Sequence, residues 1–421
     1  MILAGLLFKI ILSATLFNLS FFFLDSLGFL IVFFWIPLFL FFKENKNSGF
    51  NIGLIWGSLI FSFQLFWLLI LLLTKSAATV FLAVVLYLFL VVYASLITGI
   101  FFAFISKIIK IFNNNFIKLL TFFAGVFLYF SFLIKYSLII LGRVEGYPFI
   151  NPLIPLVRYK FFVLIFHFFS NFWGHAQINK FDLDNQQQTK VFYLKPPVVE
   201  GKDESNPHSY AQKIYHNLSE LNLFKYQNDY KNLIVVAPES TFPFPINKNN
   251  DQIDFWSNVL PENAQFLLGT QHKRGKKTYQ SVVILNRGLI INFYDKTHLM
   301  PFTENLNKIF KQFSWANNLF LTGKNNLYCS TRFSGDYAFS PDDNWCIVPQ
   351  ICSEFFFNFK NSYSSKFAGK SAIIFLFVND SWFVKYFRKN IQNLVYLNTL
   401  INKTPVLYIT HEKCELIDIL S

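Results

Sequence analysis

The chain has 421 residues, of which 53% are hydrophobic and 57 are phenylalanine, and its formal net charge is +13. This apolar content excludes an ordinary soluble enzyme of the same length. A basic balance is typical of nucleic-acid-binding proteins and also of membrane proteins with positive cytoplasmic loops. With this hydropathy it favours the membrane, and no nucleic-acid partner is predicted.

Residues 1–178 form a succession of apolar runs with short polar breaks. Because a membrane helix needs about 20 apolar residues, we predict five spans: Ile2–Leu24, Leu27–Phe42, Gly49–Leu73, Ala77–Ile105 and Phe116–Leu141. A sixth run, Phe161–Trp173, is shorter, so the bundle is expected to have five to six spans. The N-terminal run lacks a small-residue cleavage site, which predicts an anchor and not a removed signal peptide.

The loops between these runs predict an orientation. Lysines are concentrated in the loops that follow the second and fourth spans (Lys43, Lys46, Lys107, Lys110 and Lys118). The positive-inside rule then places the N-terminus in the cytoplasm and residues 143–151 outside. If Phe161–Trp173 crosses the membrane, the rest of the chain lies in the cytoplasm. If this run lies in the interface, the rest stays outside, and we favour the second arrangement.

Residues 179–421 are more polar and are predicted to form an α/β domain. Short apolar strands are expected at Val191–Leu194, Leu233–Ala237, Gln265–Gly269, Ser281–Leu285, Cys346–Ile351 and Ala372–Val378. Helical stretches lie between some of them, at Ser209–Leu221 and Lys389–Ile401. Strands that alternate with helices are typical of a layered α/β fold, and about 240 residues are enough for a core of its own.

Three polar residues stand where predicted strands end, which is where α/β domains carry their chemistry. They are Glu239 in "NLIVVAPESTFPFP", Lys296 in "INFYDKTHLMPFTEN" and Cys352 in "VPQICSEFFFN". Taken singly, the first two are more typical of a capping carboxylate and a solvated lysine. A lone cysteine after a strand is usually a small buried hydrophobe. A cysteine beside a carboxylate that takes its proton is, however, the arrangement that a thiol nucleophile needs.

The order of Glu, Lys and Cys resembles the catalytic triad of the nitrilase superfamily. The whole chain resembles the bacterial apolipoprotein N-acyltransferases of that superfamily, from about residue 8 onward. The resemblance is carried by "GYPF" at 146–149, "PES" at 238–240, "YDKTHLMPFTE" at 294–304, "ICSE" at 351–354 and "NDSWF" at 379–383. It implies a multi-span α-helical membrane bundle plus a nitrilase-like domain, an α-β-β-α sandwich, on the periplasmic side of the inner membrane.

The resemblance also implies roles for individual residues. Glu239 is the general base, Lys296 stabilises the oxyanion and Cys352 is the nucleophile. Supporting positions in or around the site are Glu304, Glu354, Trp382 and Phe383. The implied reaction takes an acyl chain from a phospholipid onto the cysteine. It then passes the chain to the N-terminal diacylglyceryl-cysteine of a lipoprotein.

The chain departs from the family pattern at several positions. Thr303 and Val384 stand where the family has glycine, and Ser353 stands where it has tyrosine. The family's last strands and final span are not found before Ser421. Two other functions therefore stay open: a relative that keeps the fold without activity, and a membrane-attached amidase of the nitrilase type. The survival of all three triad residues favours the active transferase.

No cofactor and no metal are predicted. The four cysteines (Cys329, Cys346, Cys352 and Cys414) form no CxxC pair, which argues against a zinc site and against a disulfide framework. A glycine-rich phosphate loop is also missing from the sequence.

Overall fold

The computed structural model describes residues 2–44, 49–75, 79–136, 148–157, 159, 162, 188–197, 206–248, 251, 253–299, 341, 345–357, 371–402 and 404–418. Two compact units are present. The first contains the described parts of Met1–Ala176 together with Trp382–Leu397. The second contains those of Gln177–Asn305, Asn325–Ser381 and Asn398–Ser421. The domain boundary predicted at 178/179 and the sixth apolar run lie outside the described residues, apart from Phe162.

The first unit is built from helices. They are α1 (Ile2–Phe22), α2 (Leu24–Leu27), α3 (Trp35–Glu44), α4 (Gly49–Gln64), α5 (Phe66–Lys75), α6 (Val80–Ile111) and α7 (Asn115–Tyr136). Within the described residues, three stretches are long and apolar enough to cross a membrane: Leu24–Glu44, Val80–Ile111 and Asn115–Ile134. Many large side chains on them face outward, including Phe81, Phe116 and Phe127. Such an apolar surface is typical of helices that contact lipid.

Three predicted spans differ from the helices observed. For the first, the described apolar helix Leu7–Phe22 is shorter than the stretches that could cross a membrane. The second is interrupted, because a 3-10 turn at Gly28–Val32 separates α2 from α3. Pro37 lies in the first turn of α3. A backbone N–H at this position has no hydrogen-bond partner within the helix, so proline is tolerated there. The third bends by 42° between α4 and α5, and it counts as a fourth span only if this pair is taken as one.

Small residues allow α4 and α6 to approach closely. A Cβ added at Gly53 would lie 2.6 Å from the Gly99 Cα and 2.6 Å from the Thr98 carbonyl oxygen. Gly49 and Gly57 meet the same helix one turn away on either side. This is the close packing that small residues provide between membrane helices.

The second unit contains two sheets. The first sheet has the order β1 (Thr189–Tyr193), β2 (Asn232–Pro245), β3 (Ala264–Arg274), β4 (Lys277–Asn286) and β5 (Leu289–Asp295). The strands β1, β2 and β3 are parallel, and β4 and β5 continue antiparallel. Helix α8 (Pro207–Glu220) packs on this sheet. The core between them contains the buried side chains of Leu233, Val235, Phe266, Ile214 and Trp256.

The second sheet has the order β6 (Trp345–Ile351), β7 (Ser371–Phe377), β8 (Val406–Ile409) and β9 (Cys414–Ile417). The strands β6, β7 and β8 are parallel, so their carboxyl ends meet at one edge. A short helix, α9 (Ser353–Phe357), follows β6. The longer α10 (Lys385–Asn402) is the crossover between β7 and β8 that a parallel pair requires.

These features confirm the predicted fold class, a bundle of apolar helices joined to a layered α/β domain with two sheets in contact. In the α/β domain, the predicted strands and helices begin and end within about five residues of those observed, with one exception. Strand β2 does not end before Glu239 but continues to Pro245 through an irregularity in its pairing.

Candidate active site

Glu239 lies in the irregular part of β2 and not at the end of a strand. Regular pairing with β3 stops after Ala237 and resumes at Phe242, so the residues between them bulge out of the sheet. Ser240 has a φ of 63°, in the left-handed region. A Cβ at Gly269 on β3 would lie 2.1 Å from the Pro238 carbonyl oxygen, so the bulge needs glycine opposite it. The bulge aims the Glu239 side chain away from the regular strand.

Lys296 follows β5 and forms an ion pair with Glu239. Its backbone N–H donates to the Gln280 carbonyl on β4 at 2.7 Å, which fixes the end of the strand. Its Nζ donates to Glu239 Oε1 at 3.0 Å, and both side chains are buried. The second carboxylate oxygen, Oε2, accepts the Asn379 N–H at 3.0 Å. Removing either charge from such a pair leaves its partner desolvated, which costs several kcal/mol.

Cys352 stands on a strained turn between β6 and α9. Its φ is 44°, a region that a residue with a Cβ rarely adopts and that is associated with functional sites. Its N–H donates to the Phe377 carbonyl on β7 at 2.9 Å. A sharp turn from a strand into a helix is also how the α/β-hydrolases present a nucleophile. The side chain is only 6% exposed.

The Cys352 turn and the Glu239 carboxylate are attached to the same short segment. Phe377 holds Cys352 through its carbonyl, and Asn379 holds Glu239 through its N–H. The end of β7 therefore connects these two residues, and the ion pair with Lys296 adds the third. The structure thus links the three predicted triad residues through the backbone at the end of β7 and through the ion pair.

Glu354 connects the Lys296 loop to the Cys352 turn. Its Oε1 accepts the N–H and the hydroxyl of Thr297, each at 2.6 Å, and its Oε2 accepts the Ile351 N–H at 2.8 Å. Ser353 makes a parallel connection, since its hydroxyl donates to the His298 carbonyl at 2.6 Å. A buried carboxylate with both oxygens in use is a strong positional constraint.

The other predicted supporting residues are placed differently. Phe383 belongs to the first unit, where its ring packs against Trp67 and Phe387. Glu304 and the side chain of Trp382 lie outside the described residues, so their predicted roles stay predictions.

Several contacts at the site were not predicted. Asp295, directly before Lys296, accepts from the Ser281 hydroxyl at 2.6 Å, pairs with Arg274 at 2.6 Å and lies 3.3 Å from His272 Nδ1. The Gln280 side chain donates to the Ser240 hydroxyl at 2.7 Å. The sequence does contain a signal for the Asp295 contacts, because Asp295 belongs to the "YD" directly before the lysine. The Asn379 contact uses a backbone N–H and leaves no side-chain signal.

No group of three or more potential ligands among the described residues is arranged to hold a metal ion. The described site offers three side-chain groups: a thiol, a carboxylate able to accept a proton and an ammonium able to stabilise a developing negative charge.

Comparisons with known proteins find similarity to solved structures only. No family model and no curated protein match the chain. A glutamine-dependent NAD+ synthetase from Acinetobacter baumannii has 13% identity and a TM-score of 0.32, over 49% of this chain and 35% of the synthetase. A CN-hydrolase superfamily protein from Xanthomonas campestris has 14% identity and a TM-score of 0.31, over 55% and 81%.

An amidase from Nesterenkonia sp. has 9% identity and a TM-score of 0.30, over 53% of this chain and 73% of the amidase. The chain thus spans about a third of the length of the synthetase, the first of these structures. At such TM-scores the candidate site is supported by its own geometry and not by these alignments.

Proposed function

We propose that this chain is a membrane-bound acyltransferase of the nitrilase superfamily that works through a cysteine thioester. In this proposal Glu239, Lys296 and Cys352 form the catalytic triad. The observation that carries it is the buried Lys296–Glu239 ion pair, 3.0 Å long, linked through the end of β7 to a strained Cys352 turn. A buried carboxylate and a buried ammonium at a strained cysteine are costly for stability alone.

The first half of the proposed reaction loads the enzyme. Glu239 takes the proton of the Cys352 thiol, and the thiolate attacks the ester carbonyl of a phospholipid. Lys296 stabilises the oxyanion of the tetrahedral intermediate. As the intermediate collapses, the ester C–O bond breaks and the leaving oxygen takes the proton back from Glu239. A lysophospholipid departs, and the acyl chain remains on Cys352 as a thioester.

The second half transfers the chain to an amine. The α-amine of the N-terminal diacylglyceryl-cysteine of a lipoprotein attacks the thioester and loses a proton to Glu239. Collapse of this intermediate breaks the C–S bond, forms an amide, and returns the proton to the Cys352 sulfur. An ester and an amine are thereby converted to an alcohol and an amide without a cofactor or a metal.

The helical part of the chain favours the proposal of a lipid substrate over that of a small soluble amide. Its exposed aromatic and aliphatic side chains suit a bilayer, and both proposed substrates are lipid-anchored. We further propose that the protein lies in the bacterial inner membrane with the α/β domain on the periplasmic side, where such lipoproteins are found.

The test is acylation of Cys352. The purified protein in detergent is incubated with a phospholipid that carries a labelled acyl chain. The label on the protein is then measured before and after hydroxylamine, which cleaves thioesters. We expect a hydroxylamine-sensitive label that is lost in Cys352→Ala and kept in the matched control Cys414→Ala.

Absence of label from a folded protein would contradict the proposal and favour an inactive relative. A thioester that forms only from small amides would favour a membrane-attached amidase. A label that persists in Cys352→Ala would exclude Cys352 as the nucleophile.

A further inference from the structure

A second polar cluster lies at the same edge of the second sheet, where β7 and β8 end. The Asp380 carboxylate is buried, and its Oδ1 accepts the His411 N–H at 3.1 Å. The His411 ring is close to the same oxygen, with Nδ1 at 3.6 Å. This nitrogen is buried and makes no hydrogen bond within the described part of the chain. The ring is therefore placed beside a carboxylate without completing a bond to it.

This cluster is connected to Glu239 through one peptide unit. Asp380 directly follows Asn379, whose N–H donates to Glu239 Oε2 at 3.0 Å. The Asn379 side chain stiffens the turn. Its Oδ1 accepts two hydrogen bonds from Ser381, one from the N–H at 3.2 Å and one from the hydroxyl at 2.6 Å. Whatever holds Asp380 in place therefore also holds the N–H that orients the Glu239 carboxylate.

Other titratable groups surround His411 on each side. They are Tyr193 from β1, Asp380 after β7, and Glu412, Lys413, Cys414 and Glu415 from its own hairpin. Burial, and then the charges of Cys414, Asp380 and Glu412, raise the pKa of Tyr193. Burial, and then Glu415, raise the pKa of Cys414 to about 12. Both groups therefore stay neutral near pH 7.

Histidine is the side chain that ordinarily changes charge between about pH 5 and 8. We propose that Asp380 and His411 are positioning residues for Glu239, joined by an ion pair when the imidazole is protonated. The protonated Nδ1–H then faces Asp380 Oδ1 and adds a charge-assisted contact to the one made by the His411 N–H. When the proton is lost, this charge is lost and the turn that presents the Asn379 N–H is held less firmly.

The positioning role rests on the proposed function only in so far as Glu239 acts as the base. The tie between Asp380 and His411 can be measured without any acyl transfer. Hydrogen exchange of a peptide that covers residues 377–381 is followed from about pH 5.5 to about pH 8.5, after correction for intrinsic exchange. A backbone N–H that is hydrogen-bonded exchanges with solvent only when that hydrogen bond opens. Protection of the Asn379 N–H therefore reports how firmly the turn is held.

We expect wild-type protection of the Asn379 amide to fall about fivefold as the pH rises through this range, because a weak ion pair between the imidazole and Asp380 is lost. His411→Gln should show the lower protection throughout, and Asp380→Asn should abolish the pH dependence. The matched control is His216→Gln, because His216 pairs with Glu220 at 3.3 Å on the exposed face of α8. It should keep the wild-type profile.

A pH-independent wild-type profile would overturn the proposal whether or not the variants fold. So would a His411→Gln profile equal to that of the wild type. The rate of Cys352 alkylation by iodoacetamide over the same range gives a second readout, and the ratio of wild type to His411→Gln should change with pH. Failure of thioester labelling would leave the exchange result intact, so the two proposals fail separately.

Discussion

Glu354 joins the Lys296 loop to the Cys352 turn, so its replacement should loosen both. In Glu354→Gln the side chain presents one oxygen and one NH2 group in place of two oxygens. The oxygen can keep both bonds to Thr297, but the NH2 then faces the Ile351 N–H, which donated at 2.8 Å to the carboxylate. A buried donor without an acceptor costs about 1–3 kcal/mol. The remaining bonds also lose the contribution of the charge.

We therefore expect local opening at Ile351 to become easier by about 2 kcal/mol, which corresponds to a roughly 30-fold faster hydrogen exchange of its amide. Exchange is measured in peptides that cover residues 293–299 and 345–355. Glu354→Ala should have a larger effect, because three donors lose their acceptor. The matched control is Glu262→Gln, since Glu262 pairs with Arg287 at an exposed position. That variant should exchange like the wild type in both peptides.

The reasoning fails if the Ile351 amide in Glu354→Gln exchanges within about threefold of the wild type. It also fails if the faster exchange is confined to one of the two peptides. In that case the carboxylate would contribute to one loop only and would not connect them.

Three further outcomes are expected. Lys296→Met should destabilise the second unit by roughly 3–5 kcal/mol because Glu239 stays buried without its partner. Combining it with Glu239→Gln should recover part of this loss in chemical denaturation. Gly53→Ala should lower the thermal stability of the helical part, since its Cβ would lie 2.6 Å from the backbone of α6, whereas Gly5→Ala, which meets nothing within 4 Å, should not. The Cys414 thiol, with its pKa raised from 9.0 to about 12, should resist iodoacetamide at pH 8. The folded protein holds this proton more tightly than the unfolded chain, so its contribution to stability should be lost as the pH rises from about 9 towards 12.

Much of the α/β domain could be predicted because its strands are short apolar runs with clear limits. Leu233–Ala237 is buried on both faces, as expected for a central parallel strand. The continuation of β2 to Pro245 was missed because prolines usually end a strand. Here they lie at and beyond a bulge, where the missing N–H is tolerated. The break between α2 and α3 had a signal, Pro37, within an otherwise uninterrupted apolar run.

The residue types of the candidate site could be predicted, but not the contacts that hold it. The bond from Thr297 to Glu354 joins residues 57 positions apart, and the bond from Asn379 to Glu239 joins residues 140 apart. A sequence of residue types contains no information on such distances. Backbone donors, such as the Asn379 N–H, are the same for every residue except proline, so their role is visible only in the fold.

Helix α10 has a consequence for anyone who wishes to isolate the α/β domain. Its first part, up to Leu397, belongs to the first unit, and its last part belongs to the second. Phe387 stacks on Trp67 with ring centroids 4.4 Å apart, and Tyr386 stacks on Phe22 at 4.6 Å. A fragment beginning at residue 179 would carry these aromatic rings without the helices that cover them. Such a fragment should aggregate, and a soluble version would need polar replacements on that face of α10.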